Sequence, residues 1–433
     1  MDVVLNSGDT AWVLASSALV LLMTPGLAFF YGGMVRTKSV LNMMMMSFVT
    51  IGIVSILWVI YGYNWAFGSS ANSPWIGGWG LSNLGDAVNS FTNNGGTYPI
   101  PTLVFSTFQL MFAIITPALI SGSIADRTKF TAWSIFVAFW VTIVYFPVAH
   151  WVFDFGDKIS GNLIGVGYLA GKGVLDFAGG TAVHINAGAA GLALALIIGK
   201  RQGWRRDPMR PHSIPLVLLG SGLLWFGWFG FNAGSALGAN SIAGLALMNT
   251  QVATGAALLG WLLVEKMRDG HATSLGAASG AVAGLVAITP ACAFVAPWAA
   301  VALGFVAGIF CALAVGLKYK FGFDDSLDVV GVHLVGGIWG CLSIGIFATK
   351  QVNSAGGTGL LYGGGFDLLK SQAFGAFFVM AYSFILTLVL GFVINKTIGF
   401  RVNKESELTG IDFAEHRETA YELFNSSRGG TTI

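Results

Sequence analysis

The chain has 433 residues, of which 55% are hydrophobic and only 10% are charged, and its mean hydropathy is +0.73. Soluble domains carry about 25% charged residues, so this composition excludes an ordinary soluble domain and indicates a polytopic membrane protein. The formal net charge of +2 gives no indication of nucleic-acid binding.

The first residues, MDVVLNSGDT, include no basic residue, so we expect no cleavable signal peptide and a retained first helix. A membrane-spanning helix needs about 20 mostly apolar residues. The sequence therefore predicts an all-α polytopic membrane protein with eleven transmembrane helices, near 10–33, 40–67, 101–125, 130–151, 177–200, 214–232, 245–267, 273–291, 297–318, 329–349 and 373–398. Many of the 60 glycines fall inside apolar segments, which indicates close helix contacts rather than disorder.

The basic residues alternate between the predicted connections. Of the 22 lysines and arginines, all but Lys158, Lys172, Lys350 and Lys370 lie in the odd-numbered connections or the tail. Because basic residues concentrate in cytoplasmic loops, we expect the N-terminus outside and the C-terminus inside, in the inner or plasma membrane of a cell. The transmembrane domain covers 1–402, and 403–433 is predicted to be a cytoplasmic tail that is ordered only by docking.

Two stretches of the chain share a pattern. DFAGGTAVHINAGAAG, 176–191, and DSLDVVGVHLVGGIWG, 325–340, each begin with an aspartate, place a histidine eight positions later, and place glycines four and seven positions after that histidine. Such a match predicts inverted repeats, in which helices 1–5 and 6–10 are related by a pseudo-two-fold axis in the membrane plane. The eleventh helix is then peripheral.

The two motif histidines, His184 and His333, are predicted to meet. Each lies about 12 Å from the start of its helix, which is near the middle of a core about 30 Å thick. Ionisable residues at this depth usually line pathways, although each histidine could instead bond to a neighbouring helix. Asp176 and Asp325 stand where helix caps belong, and Asp176 could also add negative potential to an outer vestibule.

The remaining reactive residues predict little chemistry. Cys292, Cys311 and Cys341 lack metal or redox spacing, and the chain has no HExxH motif. We therefore expect no metal, no cofactor and no enzymatic activity. His150, at the outer end of the fourth helix, is predicted to be an interface histidine, with a position in a vestibule as the alternative.

Several phrases resemble the ammonium transporter family, Amt/MEP/Rh, and the resemblance extends over essentially the whole chain. They are YGGMVR (31–36), LDFAGGTAVHINAG (175–188), GWFGFNAGSA (227–236), GVHLVGG (331–337) and GIDFAEHRETAY (410–421). The last resembles the tail of bacterial and plant Amt proteins. The resemblance implies capture of ammonium outside, loss of its proton, and passage of ammonia through a hydrophobic pore lined by the twin histidines.

The resemblance also implies roles for individual residues. These are a gate of paired phenylalanines (Phe112, Phe231), a recruitment site (Phe108, Phe153, Ser235, with Asp176), a pore-lining tryptophan (Trp228) and tail contacts (Asp412, Tyr421). At Phe153 the family has a tryptophan. Because phenylalanine has the weaker cation–π face, recruitment is expected to be weaker, or Trp151 substitutes.

The resemblance further implies a homotrimer in membrane lipid and a PII-type regulatory protein as a partner at the cytoplasmic face. Three other functions compete with transport. The nearest is an ammonium sensor with little flux. An ordinary cation channel is disfavoured because the sequence has no carboxylate ring or carbonyl-filter signature. A histidine-based intramembrane metalloenzyme is disfavoured because no third ligand lies near the histidines.

Overall fold

A computed structural model describes residues 4–159 and 162–421. The predicted tail beyond residue 421, including Arg428, lies outside these residues. Within them, eleven apolar helices form one bundle: α1 Ser7–Met34, α2 Thr37–Phe67, α3 Thr102–Ile124, α4 Phe130–Phe153, α5 Gly180–Ile198, α6 Ile214–Gly234, α7 Ser241–Asp269, α8 Ser274–Ile288, α9 Pro297–Phe321, α10 Val330–Phe347 and α11 Asp367–Thr397. The predicted all-α polytopic fold class is therefore confirmed.

Ten of these helices are long and apolar enough to cross a membrane, whereas α8 has only 15 residues. The sequence predicted that this helix would extend to residue 291. It ends at Ile288, and Pro290, two residues later, has no N–H group that could continue the helical hydrogen bonds. Short turns then carry the chain to Val295.

Glycines allow the helices to pack backbone against backbone. A Cβ atom at Gly220 of α6 would lie 2.2 Å from the Phe30 nitrogen of α1, and one at Gly308 of α9 would lie 2.1 Å from the Ala257 oxygen of α7. Any larger residue at these positions would force the helices apart. The close helix contacts that were predicted at glycines inside the apolar segments are therefore present.

The two faces of the bundle carry different small elements. The N-terminal face holds Asn6 and two strand pairs, β1 Phe91–Asn93 with β2 Thr97–Pro101, and β3 Asp157–Ile159 with β4 Asn162–Ile164. The tail face holds two tail helices, Lys404–Thr409 and Ile411–His416. The strand pairs lie in connections between predicted helices, for which no element was predicted.

Buried ion pairs hold the tail face together. Arg201 contacts Asp324 at 2.8 Å and Asp126 at 3.3 Å, and Arg401 contacts Glu407 of the tail at 2.7 Å. Arg127 is fully buried, and its guanidinium donates to the backbone oxygen of Asp324 at 2.6 Å. Burial lowers the pKa of the Arg127 guanidinium to about 10. These contacts join the ends of several helices that are distant in sequence.

Candidate functional site

His184 of α5 and His333 of α10 lie against each other in the middle of the bundle. Their Nδ1 atoms are 3.3 Å apart, and the two side chains are almost completely buried. The rings are nearly parallel, with centroids 5.3 Å apart. The two side chains predicted to meet are therefore brought together.

The shared sequence pattern explains this meeting. A Cβ at Gly188 would lie 2.5 Å from the Leu334 nitrogen, and one at Gly337 would lie 3.0 Å from the Ile185 Cγ1. The glycines four positions after each histidine thus let α5 and α10 cross closely at this level. Each histidine also lies in a short π-helical turn, Gly180–Ile185 or Val330–Leu334.

Aromatic rings cover the pair on the side of the N-terminal face. Trp228 stacks on His184 with centroids 5.3 Å apart, and its indole donates to the Thr289 hydroxyl at 2.8 Å. Phe231 stacks on the same imidazole, and its ring lies 4.3 Å from that of Phe112. Of the three aromatic residues predicted to line the pore and form the gate, Trp228 and Phe231 therefore lie directly against His184, and Phe112 lies against Phe231.

Beyond these rings, a cavity of about 650 Å³ lies on the N-terminal face. The four predicted recruitment residues all line it, namely Phe108, Phe153, Ser235 and Asp176. On the opposite side of the histidines, a small cavity of about 40 Å³ is lined by His333, Tyr31 and Asp328. The stacked rings and the histidines thus separate two cavities.

Asp176 acts as a helix cap in this structure. Its carboxylate accepts hydrogen bonds from the backbone N–H groups of Gly179, Gly180 and Thr181, each at 2.7 Å, and also bonds the Thr181 hydroxyl. The capping expectation for this aspartate is met, because these are the free N–H groups at the start of α5.

The suggestion that Trp151 replaces the missing vestibule tryptophan is wrong. Its indole donates to the Trp75 oxygen at 3.0 Å, and its ring packs on Tyr382 of α11 at 4.6 Å. It is absent from the lining of the cavity, whereas Phe153 is present. Two residues along a helix is about 200°, so a neighbour at this spacing points away from the same cavity.

The interface position predicted for His150 is also wrong. This side chain is fully buried, and its ring nitrogens lie 3.1 Å from the Ala66 oxygen, 2.9 Å from the Ser73 oxygen and 3.0 Å from the Asp154 carboxylate. Burial raises the pKa of the Asp154 carboxyl above its usual range. The histidine joins the end of α4 to the connection after α2.

Five polar residues that line the same cavity were not predicted from the sequence, namely Asn94, Tyr98, Gln109, Asn240 and Asn353. Asn94 and Tyr98 come from the hairpin β1–β2, which lies between two predicted helices in a stretch for which no element was predicted. Gln109 lies one position after Phe108 on α3. In the sequence, only this position next to a predicted recruitment residue indicated that Gln109 could line the cavity.

The tail residues Asp412 and Tyr421 both contact the tail face. The Asp412 carboxylate accepts from the backbone N–H groups of Leu41 and Asn42, at 3.0 and 2.8 Å, where α2 begins. The Tyr421 hydroxyl lies 3.0 Å from the His212 Nε2 atom. Burial raises the pKa of the Asp412 carboxyl above its usual range.

In the part of the chain that the structure describes, no three histidine, cysteine, aspartate or glutamate side chains are grouped so as to hold a metal ion. The three cysteines are free and buried. The chemistry available along the path between the cavities is therefore that of two imidazoles among aromatic rings.

The bundle, with a cavity on either side of the buried histidines, defines a multi-pass membrane protein with a candidate transmembrane pathway. The sequence pattern of the Ammonium Transporter Family matches residues 11–421. The chain belongs to this family.

An ammonium transporter of Mycobacterium tuberculosis is 56% identical over 439 residues, covering 96% of this chain and 91% of the relative. The solved structure of Mep2 from Saccharomyces cerevisiae is similar with a TM-score of 0.81 and 33% identity, over 93% of this chain and 88% of that chain. A solved structure described as a sensor Amt protein is similar with a TM-score of 0.83 and 29% identity, over 94% and 98% of the two chains.

Proposed function

We propose that this protein moves ammonium across a cell membrane as ammonia. Ammonium is captured in the cavity of the N-terminal face by Phe108, Phe153 and Ser235, within the negative potential of Asp176. It loses its proton at or below the gate of Phe112 and Phe231. Ammonia then passes Trp228, His184 and His333 to the other side.

One observation carries this proposal, which is that His184 and His333 lie between two cavities with their Nδ1 atoms 3.3 Å apart. Two nitrogens at this distance share one hydrogen, so one imidazole donates and the other accepts. The two Nε2 atoms remain to bond with a passing molecule, and the Nε2 of His184 has no partner within the described residues. Ammonia both donates and accepts hydrogen bonds, which suits such a pair.

The energetics favour ammonia over the intact ion. The nominal Born cost of burying a bare cation is of order 20 kcal/mol and its effective cost is several kcal/mol, whereas a desolvated cation–π contact returns about 2 kcal/mol. The aromatic rings therefore cannot carry the ion through. Ammonium can release a proton and potassium cannot, so selectivity follows from chemistry rather than size.

The test is the current on a supported membrane carrying liposomes of purified protein, after an ammonium jump and then a potassium jump. We expect a response to ammonium alone, and its loss when both His184 and His333 are replaced by leucine. His271→Leu is the matched control, because this histidine is exposed at the end of α7. A folded double variant that still transports ammonium and excludes potassium would refute the role of the pair. If the wild type gives no current, internal pH in the same liposomes distinguishes electroneutral ammonia conduction from no transport.

An ammonium sensor is the second candidate, and the similarity to a sensor Amt structure favours keeping it. Phe153 in place of the family tryptophan is compatible with binding that serves recognition more than flux. Ammonium uptake by cells that lack their own transporters separates the two functions, since a sensor would bind without restoring uptake.

We also propose the arrangement around the pore. Helices α1–α5 and α6–α10 form inverted halves, α11 is peripheral, and three copies of residues 1–402 assemble in membrane lipid with the N-terminal face outside. The capped start and the π-helical turn shared by α5 and α10 support the two halves. The tail from residue 403 then lies in the cytoplasm, where a PII-type protein would dock. Labelling of single cysteines from either side of the membrane tests the orientation.

A further inference from the structure

The hairpin β1–β2 forms hydrogen bonds with the backbone of Phe153 and Phe155, on either side of Asp154. The Asn94 side-chain amide donates to the Phe153 oxygen at 2.9 Å, and its oxygen accepts from the Phe155 N–H at 2.6 Å. Asn94 is buried, with 7% of its surface exposed. Both halves of this amide are therefore used on one short stretch of chain.

Neighbouring residues of the hairpin form further hydrogen bonds with the same stretch of chain. The Gly95 N–H donates to the Gly156 oxygen at 2.5 Å, and Asn93 exchanges hydrogen bonds with the backbone of Lys158. Gly95 has a φ of +71°, and a Cβ there would lie 2.7 Å from the Phe155 Cβ. Only glycine suits this position, because it accepts the left-handed backbone and leaves room for the close approach.

A second, independent attachment fixes the same stretch from the other side. The Asp154 carboxylate contacts His150 at 3.0 Å and accepts from the Gly156 N–H at 2.8 Å, and His150 in turn reaches the oxygens of Ala66 and Ser73. Removal of the Asn94 side chain would therefore free the backbone at Phe153 without releasing the connection as a whole.

The chemistry of Phe153 makes this attachment important. A cation–π contact requires the cation over the ring face, within about 6 Å of the centroid. A tryptophan at this position would have an indole N–H to fix its orientation, whereas a phenyl ring has no polar group. The orientation of the Phe153 ring toward the cavity therefore depends on where the backbone places the Phe153 Cα atom.

We propose that Asn94 is a positioning residue for ammonium recruitment, which holds Phe153 over the cavity of the N-terminal face. This inference rests on the proposed function, because it assigns to Asn94 an effect that is exerted through the recruitment role of Phe153. The hairpin that carries Asn94 is thus part of the capture site rather than a passive loop.

The experiment measures ammonium depletion from the medium by cells that lack their own ammonium transporters, which gives an apparent KM and a maximal rate per molecule at the surface. The variants are Asn94→Ala, Phe153→Ala and the two combined. Asn93→Ala is the matched control, since it removes the neighbouring contact of the same hairpin with Lys158 and leaves the Phe153 backbone held.

We expect Asn94→Ala to raise KM about two- to tenfold, the range of a weakened cation–π contact, with an unchanged maximal rate. Asn93→Ala should leave KM unchanged. In the Phe153→Ala background, Asn94→Ala should cause no further rise, because residues that act through one contact are not additive. If Asn94→Ala does not reach the surface, Asn94→Asp replaces it, because aspartate keeps the acceptor for the Phe155 N–H and loses the donor to the Phe153 oxygen. Asn94→Asp should then raise KM when Phe153 is present and cause no further rise in the Phe153→Ala background.

Two results overturn the inference alone: a raised KM in Phe153→Ala with a normal KM in both Asn94 variants, or effects of the two sites that multiply. An unchanged KM in Phe153→Ala overturns the recruitment step of the proposed function and this inference with it. No uptake by the wild type at all overturns proposed transport itself.

Discussion

The starts of α5 and α10 carry the same sequence pattern in different surroundings. Asp176 begins one and Asp325 the other, and both accept hydrogen bonds from the first turn of their helix. Asp176 lines an open cavity, and its bonds come from backbone N–H groups and the Thr181 hydroxyl. Asp325 lies under the tail face, bonded also to the Ser123 hydroxyl at 2.9 Å.

This difference distinguishes two roles of the aspartates, capping a helix start and presenting a negative charge, which the sequence pattern alone cannot distinguish. The cap and the histidine recur in both copies, where the caps begin the two crossing helices and the histidines meet. The charge environment does not recur. The Lys318 ammonium donates to the Asp325 backbone oxygen at 3.0 Å and contacts Asp328, whereas no cation contacts the Asp176 carboxylate among the described residues. The capping carboxylate of the α5 copy, Asp176, lines the cavity of the N-terminal face, whereas the α10 copy places Asp328, which is paired with Lys318, at the small cavity on the other side of the histidines.

Asp176→Ala should have the largest effect. It leaves several buried N–H groups at the start of α5 without an acceptor, at a cost of about 1–3 kcal/mol for each group that remains unsatisfied, so we expect about 3 kcal/mol or more in total. Thermal unfolding in detergent measures this loss. Asp207→Ala, at an exposed carboxylate, is the control, and a variant as stable as the wild type would show that the cap is dispensable.

Asp325→Asn should change how stability depends on pH. Burial and the neighbouring Asp328 carboxylate raise the pKa of the Asp325 carboxyl from 3.8 to about 6. Because the folded state holds the proton on Asp325 more tightly than the unfolded state does, this carboxyl stabilises the fold below pH 3.8. The contribution is lost as the pH rises through 6. The midpoint of thermal unfolding should therefore fall less steeply between these pH values in the variant. Equal slopes for both proteins would contradict the assignment.

Lys318→Met should have the smallest effect. It removes the ion pair with Asp328, whose side chain is 36% exposed, and the hydrogen bond to the Asp325 backbone oxygen. A partly exposed pair contributes about 1 kcal/mol or less, and the two contacts together contribute about 2 kcal/mol, which is less than the loss expected for Asp176→Ala. The methionine keeps most of the apolar stem. A shift in unfolding midpoint as large as that of Asp176→Ala would mean that the two helix starts depend on charge to the same degree.

Residue patterns predicted the eleven apolar helices and the meeting of His184 with His333, because both depend on local composition and on a repeat that is visible in the chain. They did not predict the hairpin that holds Asn94. Its strands are three and five residues long, and they are stabilised by partners more than 50 residues away. Trp151 was assigned by proximity in sequence to Phe153, and helical geometry directs it elsewhere.

The full burial of Arg127 has a consequence for biosynthesis. Its guanidinium bonds Ser326 and the Asp324 backbone, almost 200 residues later in the chain. A nascent chain that has inserted only its first five helices holds this guanidinium with its local acceptors, the Ser123 and Ala125 oxygens, but without the two from the second half. Because burying a charge costs free energy unless its hydrogen bonds are complete, we expect the tail side of the first half to close fully only after the connection between α9 and α10 has been synthesised.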